Sequence, residues 1–354
     1  MARPRDALGL DIPAESPGLA PRLLRFGPLG LLLVLLSYCP AVAYEESGHY
    51  YTVAAAMKSL LPPRVAEQDS SLVAFCAQLP DETYELDALQ VYRALPWGSW
   101  GGWVLRGADT DPAVGRMVAV QQLLHGLTGG MADSLQTVAR EIVHDLAATA
   151  LAGGSSTPST HSTTLCALGF ALHLYGDSFA HVRLSAADKM YPTGRGHADD
   201  FSKPDYPLYE PDGARTRATA WATYMRAFPR VLGPFTLDAQ LDKQQIGQVF
   251  DLPSSWRKVN LLNQYGEAHI REILLGRIGP RLPTLRKPLE AHGNEPCEGY
   301  MNQIFSGRFF GSLPRPTCRA VWDLFRSRAL PVFNKYPASR DAQFRNLRLE
   351  DPVF

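Results

Sequence analysis

The sequence carries no surplus of charge of either sign: 35 Lys and Arg stand against 35 Asp and Glu in 354 residues. A purely electrostatic nucleic-acid binder concentrates positive charge, so this composition does not fit that class. No internal repeat and no convincing strand run appears, and the periodic stretches are helical. Long apolar runs are also lacking. The one candidate, Pro28-Leu-Gly-Leu-Leu-Leu-Val-Leu-Leu36, is too short to span a bilayer, and no second follows. Cysteine is scarce, at five residues.

The apolar run follows Arg22 and Arg25 and precedes Ala41-Val-Ala43, a small-x-small cleavage site. Residues 1–43 therefore read as a signal peptide, and the chain is expected to be secreted or periplasmic. Cleavage after Ala43 leaves 311 residues starting at Tyr44. Removing the leader's four basic and three acidic residues leaves 31 basic and 32 acidic, again near neutrality. Four cysteines remain, Cys76, Cys166, Cys297 and Cys318. An even number in an exported chain permits two disulfides, with Cys297 to Cys318 the natural local pair.

Along the mature chain, helical patterns cover Tyr50 to Leu61, capped by Ser47, and Val65 to Gln78, with a third starting near Asp81. Others run from Pro112 to Gly126, Met131 to Leu151, Thr216 to Phe228, Ser254 to Leu275 and Cys318 to Ala329. Gly153 to Thr160 reads as a connector, and Arg183 to about Gly213 as a long loop without periodicity. The expected fold is all-α, a compact multi-helix domain over residues 44–280, with residues 281–354 as a C-terminal extension packed on it.

The central stretch is Gly169-Phe-Ala-Leu-His173-Leu-Tyr-Gly-Asp177-Ser-Phe-Ala-His181. Its His, Asp and His are spaced four apart and rise along one face of a helix. Leu168, Leu172, Tyr175 and Phe179 form the other face, at the spacing of a core. Gly169 and Gly176 are small enough to let another backbone come close. The competing reading is a buried helix whose histidines are held by ordinary hydrogen bonds. Stacking three polar groups beside a core costs free energy unless a metal or a dense network compensates. His49 adds to the metal reading, because it sits five residues after Tyr44. A free α-amino group there can lose its proton to a metal and ligate through its nitrogen and its own carbonyl.

With these residues the chain resembles the zinc-dependent phospholipases C and the single-strand-specific nucleases of fungi and plants, which share an all-α fold and a three-zinc site. Tyr44 followed by Gly48-His49 matches the family's N-terminal ligands. His173, Asp177 and His181 match its central His-x-x-x-Asp and later histidine, although the nucleases place that histidine six residues after the aspartate. The less characterised bacterial members are closer, and Gly196-His197 and Pro204-Asp205 fit their pattern. The resemblance further implies Asp81, in Leu79-Pro-Asp81, and His125, in Leu123-Leu-His125, as ligands. The family's final His-x-x-x-Asp pair is not intact, since Phe201 stands four residues after His197; Asp205 is the preferred substitute over Asp199 and Asp200.

The implied site holds two to three zinc ions. Tyr44 and His49 would hold one, Asp81, His125 and His173 a second, and His181, His197 and Asp205 a third. Asp177 would bridge the close pair, and Asp177 and Asp81 would be the carboxylates of catalysis. A metal-bridging hydroxide would attack a phosphodiester, with the third zinc stabilising the leaving alkoxide. The expected activity is that of an exported phospholipase C-like hydrolase. A nuclease of the same fold and a non-catalytic, metal-stabilised binding module are the alternatives; the broken pair at His197 favours the last.

The expected substrate is a phospholipid or a nucleic acid, and peripheral membrane contact would accompany the former. Trp97, Trp100 and Trp103 could stack on bases or enter a lipid interface, against the simpler reading of packing within their own domain. His144, His161, His269 and His292 match no motif. His144 and His269, beside Asp145 and Glu267, read as solvated or hydrogen-bonded surface residues.

Overall fold

The computed structural model describes residues 49, 50, 53, 57, 67–93, 111–151, 157–194, 196, 295–306, 310, 313–346 and 348–354. These are mostly helical. His49, Tyr50, Val53 and Met57 are helical, and His49 is already inside its helix. The longer elements are α1 (Glu67–Glu82), α2 (Ala88–Arg93), α3 (Pro112–Leu123), α4 (Ala132–Leu151) and α5 (Pro158–Ala180). After a small hairpin come α6 (Cys297–Ser306) and α7 (Cys318–Lys335).

Helix starts follow local chemistry. Asp111, Thr157 and Thr317 each sit in extended backbone and cap α3, α5 and α7, their side chains accepting from the backbone N–H groups of Ala113, Thr160 and Ala320, respectively. Pro112 and Pro158 occupy first-turn positions, where the missing N–H costs nothing. Pro158 to Thr160 are thus the first turn of α5 and not connector, because Thr157 and Pro158 together make a strong start signal. Likewise α1 continues through Pro80 to Glu82, so Asp81 lies in its last turn and no new helix begins there. Pro80, inside the helix, removes one helical hydrogen bond.

The expected structureless loop after His181 contains a two-stranded antiparallel sheet, β1 (Val182–Arg183) and β2 (Ala186–Met190). Val182 pairs with Met190 and Arg183 with Ala186, with an irregularity between. The sequence Ala-Ala-Asp-Lys-Met has little strand propensity; neighbours supply the pairing. Met190 N–H donates to the Gly130 carbonyl and Tyr191 N–H to the His181 carbonyl, both at 2.9 Å. Helix α6 carried no sequence expectation, and the expected helices over Thr216–Phe228 and Ser254–Leu275 lie outside the described residues.

Helix α5 is the centre of the bundle. α1 and α4 flank it, and α7 packs on both α5 and α4. It is buried continuously from Thr164 to Ala180, on the ligand side as well as on the side of Leu168, Leu172, Tyr175 and Phe179. Each such large apolar side chain contributes roughly 1.5–3 kcal/mol on full burial. Phe170 meets Phe325 of α7 edge-on at 5.9 Å. Two disulfides tie the helices, Cys76–Cys166 between α1 and α5 and Cys297–Cys318 between α6 and α7. The second is the expected local pair. At Gly169 the α1 backbone comes so close that a Cβ would lie 2.7 Å from the Val73 carbonyl oxygen. No helix among the described residues is long and apolar enough to cross a membrane.

Candidate metal centre

Six of the nine sequence-nominated ligands come together beside α5. Asp81 arrives from the end of α1, His125 from the turn after α3, and His173 and Asp177 from successive turns of α5. His181 is the residue that ends α5, its N–H donating to the Asp177 carbonyl at 2.8 Å. His49 enters from the first described helical residues. All six are buried. Tyr44, His197 and Asp205 lie outside the described residues, as do Trp97, Trp100, Trp103, His269 and His292.

Asp177 is the hub. Its Oδ1 lies 3.1 Å from His49 Nε2, while its Oδ2 lies 3.2 Å from His173 Nε2 and 3.3 Å from His125 Nδ1. Asp81 closes the opposite side, with Oδ1 3.6 Å from His125 Nδ1 and 3.7 Å from His173 Nε2, and Oδ2 3.8 Å from His49 Nε2. The rings of His49 and His173 stack with centroids 4.0 Å apart.

Backbone carbonyls decide which ring nitrogens face inward. A carbonyl only accepts, so His173 donates Nδ1–H to Ala77 and His125 donates Nε2–H to Leu86, both at 2.8 Å. That leaves His173 Nε2 and His125 Nδ1 as lone-pair donors toward the cluster, 3.2 Å from each other. Such outer contacts are how metal-binding histidines are held in one tautomer. His181 differs: its Nδ1 is bound to the His125 carbonyl and 3.7 Å from Asp177 Oδ2. The three carbonyls escaped sequence reading, because a backbone acceptor has no side-chain signature.

Burial and the neighbouring side chains set the protonation states of the cluster. Burial first, and then neighbouring His49, push the His173 imidazole down to about 3, so it is neutral. Burial opposes charge on Asp177 too, but the surrounding His173, His181 and His49 outweigh it and hold the carboxyl well below its ordinary range. For His125 burial is likewise outweighed by Asp177, and the imidazole is raised. A neutral imidazole and an ionised carboxylate are the forms that ligate, so His173 and Asp177 are in ligating form, whereas His125 gives up a proton to ligate.

Two groups within the cluster could hold a metal ion: His49, His173 and Asp177 form one, and Asp81, His125 and His173 the other. Within each, the donor atoms lie within 4.8 Å of one another. Neither carboxylate oxygen of Asp177 receives a well-directed hydrogen bond, although both are buried. Buried carboxylate oxygens are costly in that condition, and a cation between them and the imidazoles would satisfy them. The residues therefore fit a metal. His173 belongs to both groups, and since Nε2 is its one inward donor atom the two are alternative sets for that residue.

The remaining described histidines stand apart. His161 Nε2 is 3.0 Å from Asp69 Oδ2 in a half-buried pair, and His144 is exposed on α4. No protein-family model, curated protein or solved structure matches the chain.

Proposed function

We propose that the protein is an exported zinc-dependent phosphodiester hydrolase with the fold of the zinc-dependent phospholipases C and single-strand-specific nucleases. One observation carries this reading: Asp177, fully buried at the centre of the bundle, turns one oxygen to His49 and the other to His125 and His173. That is the disposition of a carboxylate bridging two cations, and imidazole with carboxylate is a donor set suited to zinc.

His49 would hold one ion, and Asp81, His125 and His173 the other, with Asp177 shared between them; His173, whose single inward lone pair is on Nε2, serves one ion. Tyr44 would complete the first through its amino group, and His181 with His197 and Asp205 would hold a third. Bound zinc supplies Lewis acidity, activating water near neutral pH and neutralising charge that gathers on phosphoryl oxygens. The chain's own part is preorganisation. Ala77 and Leu86 keep two imidazoles turned inward, and the packed helices exclude bulk water from the ligand side. The ionised Asp177 offsets the positive charge that ions bring.

A phospholipid headgroup ester is the favoured substrate, since the near-neutral chain lacks the positive surplus of a general nuclease. The test is elemental analysis of the purified mature protein, followed by hydrolysis of bis-nitrophenyl phosphate with and without chelator. Two to three zinc ions and chelator-sensitive turnover are expected. Phosphatidylcholine, single-stranded DNA and RNA assayed side by side then distinguish phospholipase C-like from nuclease-like activity. Bound zinc without turnover of any of them would identify a metal-stabilised binding module.

A further inference from the structure

We infer that the Cys76–Cys166 disulfide and Gly169 are positioning elements of the metal centre, acting through the register of α1 against α5. The inference rests on the reading that the cluster binds zinc. Along both helices the contacts advance together: Cys76 is bonded to Cys166, Ala77 meets Gly169 and His173, and Asp81 meets His173. The helices therefore run side by side in the same direction here. The clamp lies about one to two turns behind the ligands on each.

The closeness is extreme. Cys76 and Cys166 bring their Cα atoms to 5.0 Å, and a Cβ on Gly169 would lie 2.7 Å from Cys76 Cβ and 2.8 Å from the Ala77 nitrogen. Four residues beyond Gly169 is His173; four beyond Ala77 is Asp81. Ala77 itself carries the carbonyl that fixes the His173 ring. A helix transmits axial displacement with little loss over one turn, so the spacing set at Gly169 is delivered to the ligand layer. Ordinary contact starts at 3.4 Å, so a methyl group at Gly169 would force α1 back by about 0.7 Å, several times the ±0.2 Å within which metal–ligand distances are held.

Cys297–Cys318 provides the internal comparison. It joins α6 to α7, which carry none of the six clustered ligands. Both disulfides constrain the chain, but only Cys76–Cys166 lies on the ligand-bearing pair.

The experiment uses the full mature chain in three forms: Gly169→Ala, the pair Cys76→Val with Cys166→Ala, which refills the space of the sulfurs, and the pair Cys297→Ala with Cys318→Ala. Zinc dissociation constants are measured by competition with a chromogenic chelator, the visible spectrum is recorded after cobalt substitution, and thermal unfolding is followed separately. Zinc binding is expected to weaken by about 10- to 100-fold in the first two, as for loss of an outer contact to a ligand, with altered cobalt bands. The Cys297/Cys318 variant melts earlier but keeps the wild-type zinc constant and spectrum. Should Gly169→Ala fail to fold, the Cys76/Cys166 pair decides alone. Unchanged zinc affinity and cobalt spectrum in that folded pair would overturn the inference, as would equal weakening in both disulfide variants. If the wild-type chain binds neither zinc nor cobalt, the metal reading itself falls, and the positioning role with it.

Discussion

The carbonyl oxygen of Ala77 accepts the Nδ1–H of His173 at 2.8 Å, across 96 residues of sequence. That contact settles which nitrogen of the ring faces the cluster, and it ties the tautomer of a buried histidine to the packing of α1 on α5. The Ala77 contact is made by protein atoms alone, so it orients the ring independently of an ion.

Metal should accordingly stabilise a chain that is already folded. Zinc at a free concentration 100 times its dissociation constant is expected to add about 2.7 kcal/mol to the unfolding free energy. Excess chelator should remove that increment while leaving the helical circular dichroism intact. Loss of helicity on chelation would mean that the bundle needs the ion to fold.

Asp177→Asn keeps the volume and removes the charge. Bound zinc should drop by at least one ion per chain in elemental analysis. His144→Ala, at an exposed position of α4 apart from the ligand cluster, is the control and should keep full zinc.

Glu85 offers a pH test away from the ligands. Its Oε2 accepts the Cys297 N–H at 3.0 Å, and burial raises its carboxyl above the ordinary value of 4.5. A raised carboxyl means that the folded state binds the proton more tightly than the unfolded state. Its contribution to stability is therefore greatest at low pH and declines as pH rises from 4.5 through the folded-state value. Glu85→Gln should melt higher than wild type at neutral pH, and the gap should close on acidification toward 4.5. Parallel thermal scans from about pH 4 to 7 check the sign.

Gly130 tests packing around the loop that follows His125. A Cβ there would lie 2.2 Å from the Ser339 carbonyl oxygen and 2.6 Å from the Arg340 nitrogen, both backbone atoms with no rotamer to yield. Gly130→Ala should destabilise by roughly 1–3 kcal/mol or more, as overpacking does. Chemical denaturation reads it directly.

Much of the helical layout was legible locally. Asp111-Pro112 announces α3 and Thr317 announces α7, because a cap and a first-turn proline act within a few residues. The hairpin after His181 was not legible, since Ala186 to Met190 are extended by pairing with neighbours and not by their own preference. Helix α6 is held in the same way: Glu85, 212 residues upstream, supports the Cys297 N–H at its start.

The sequence by itself determined that His173 and Asp177 share one helix, because a four-residue spacing is a local property of helix geometry; His181, expected on the same helix, is the cap that ends it. It also nominated His49, Asp81 and His125, through resemblance to a family. Only the tertiary structure decided that these three meet Asp177 and its neighbours, which of its oxygens faces which ring, and that His173 belongs to both candidate groups. Those outcomes depend on the approach of α1 to α5 at Gly169 and on the carbonyls of Ala77, Leu86 and His125. Every residue has a carbonyl, so only the packing of the helices selects the ones that act.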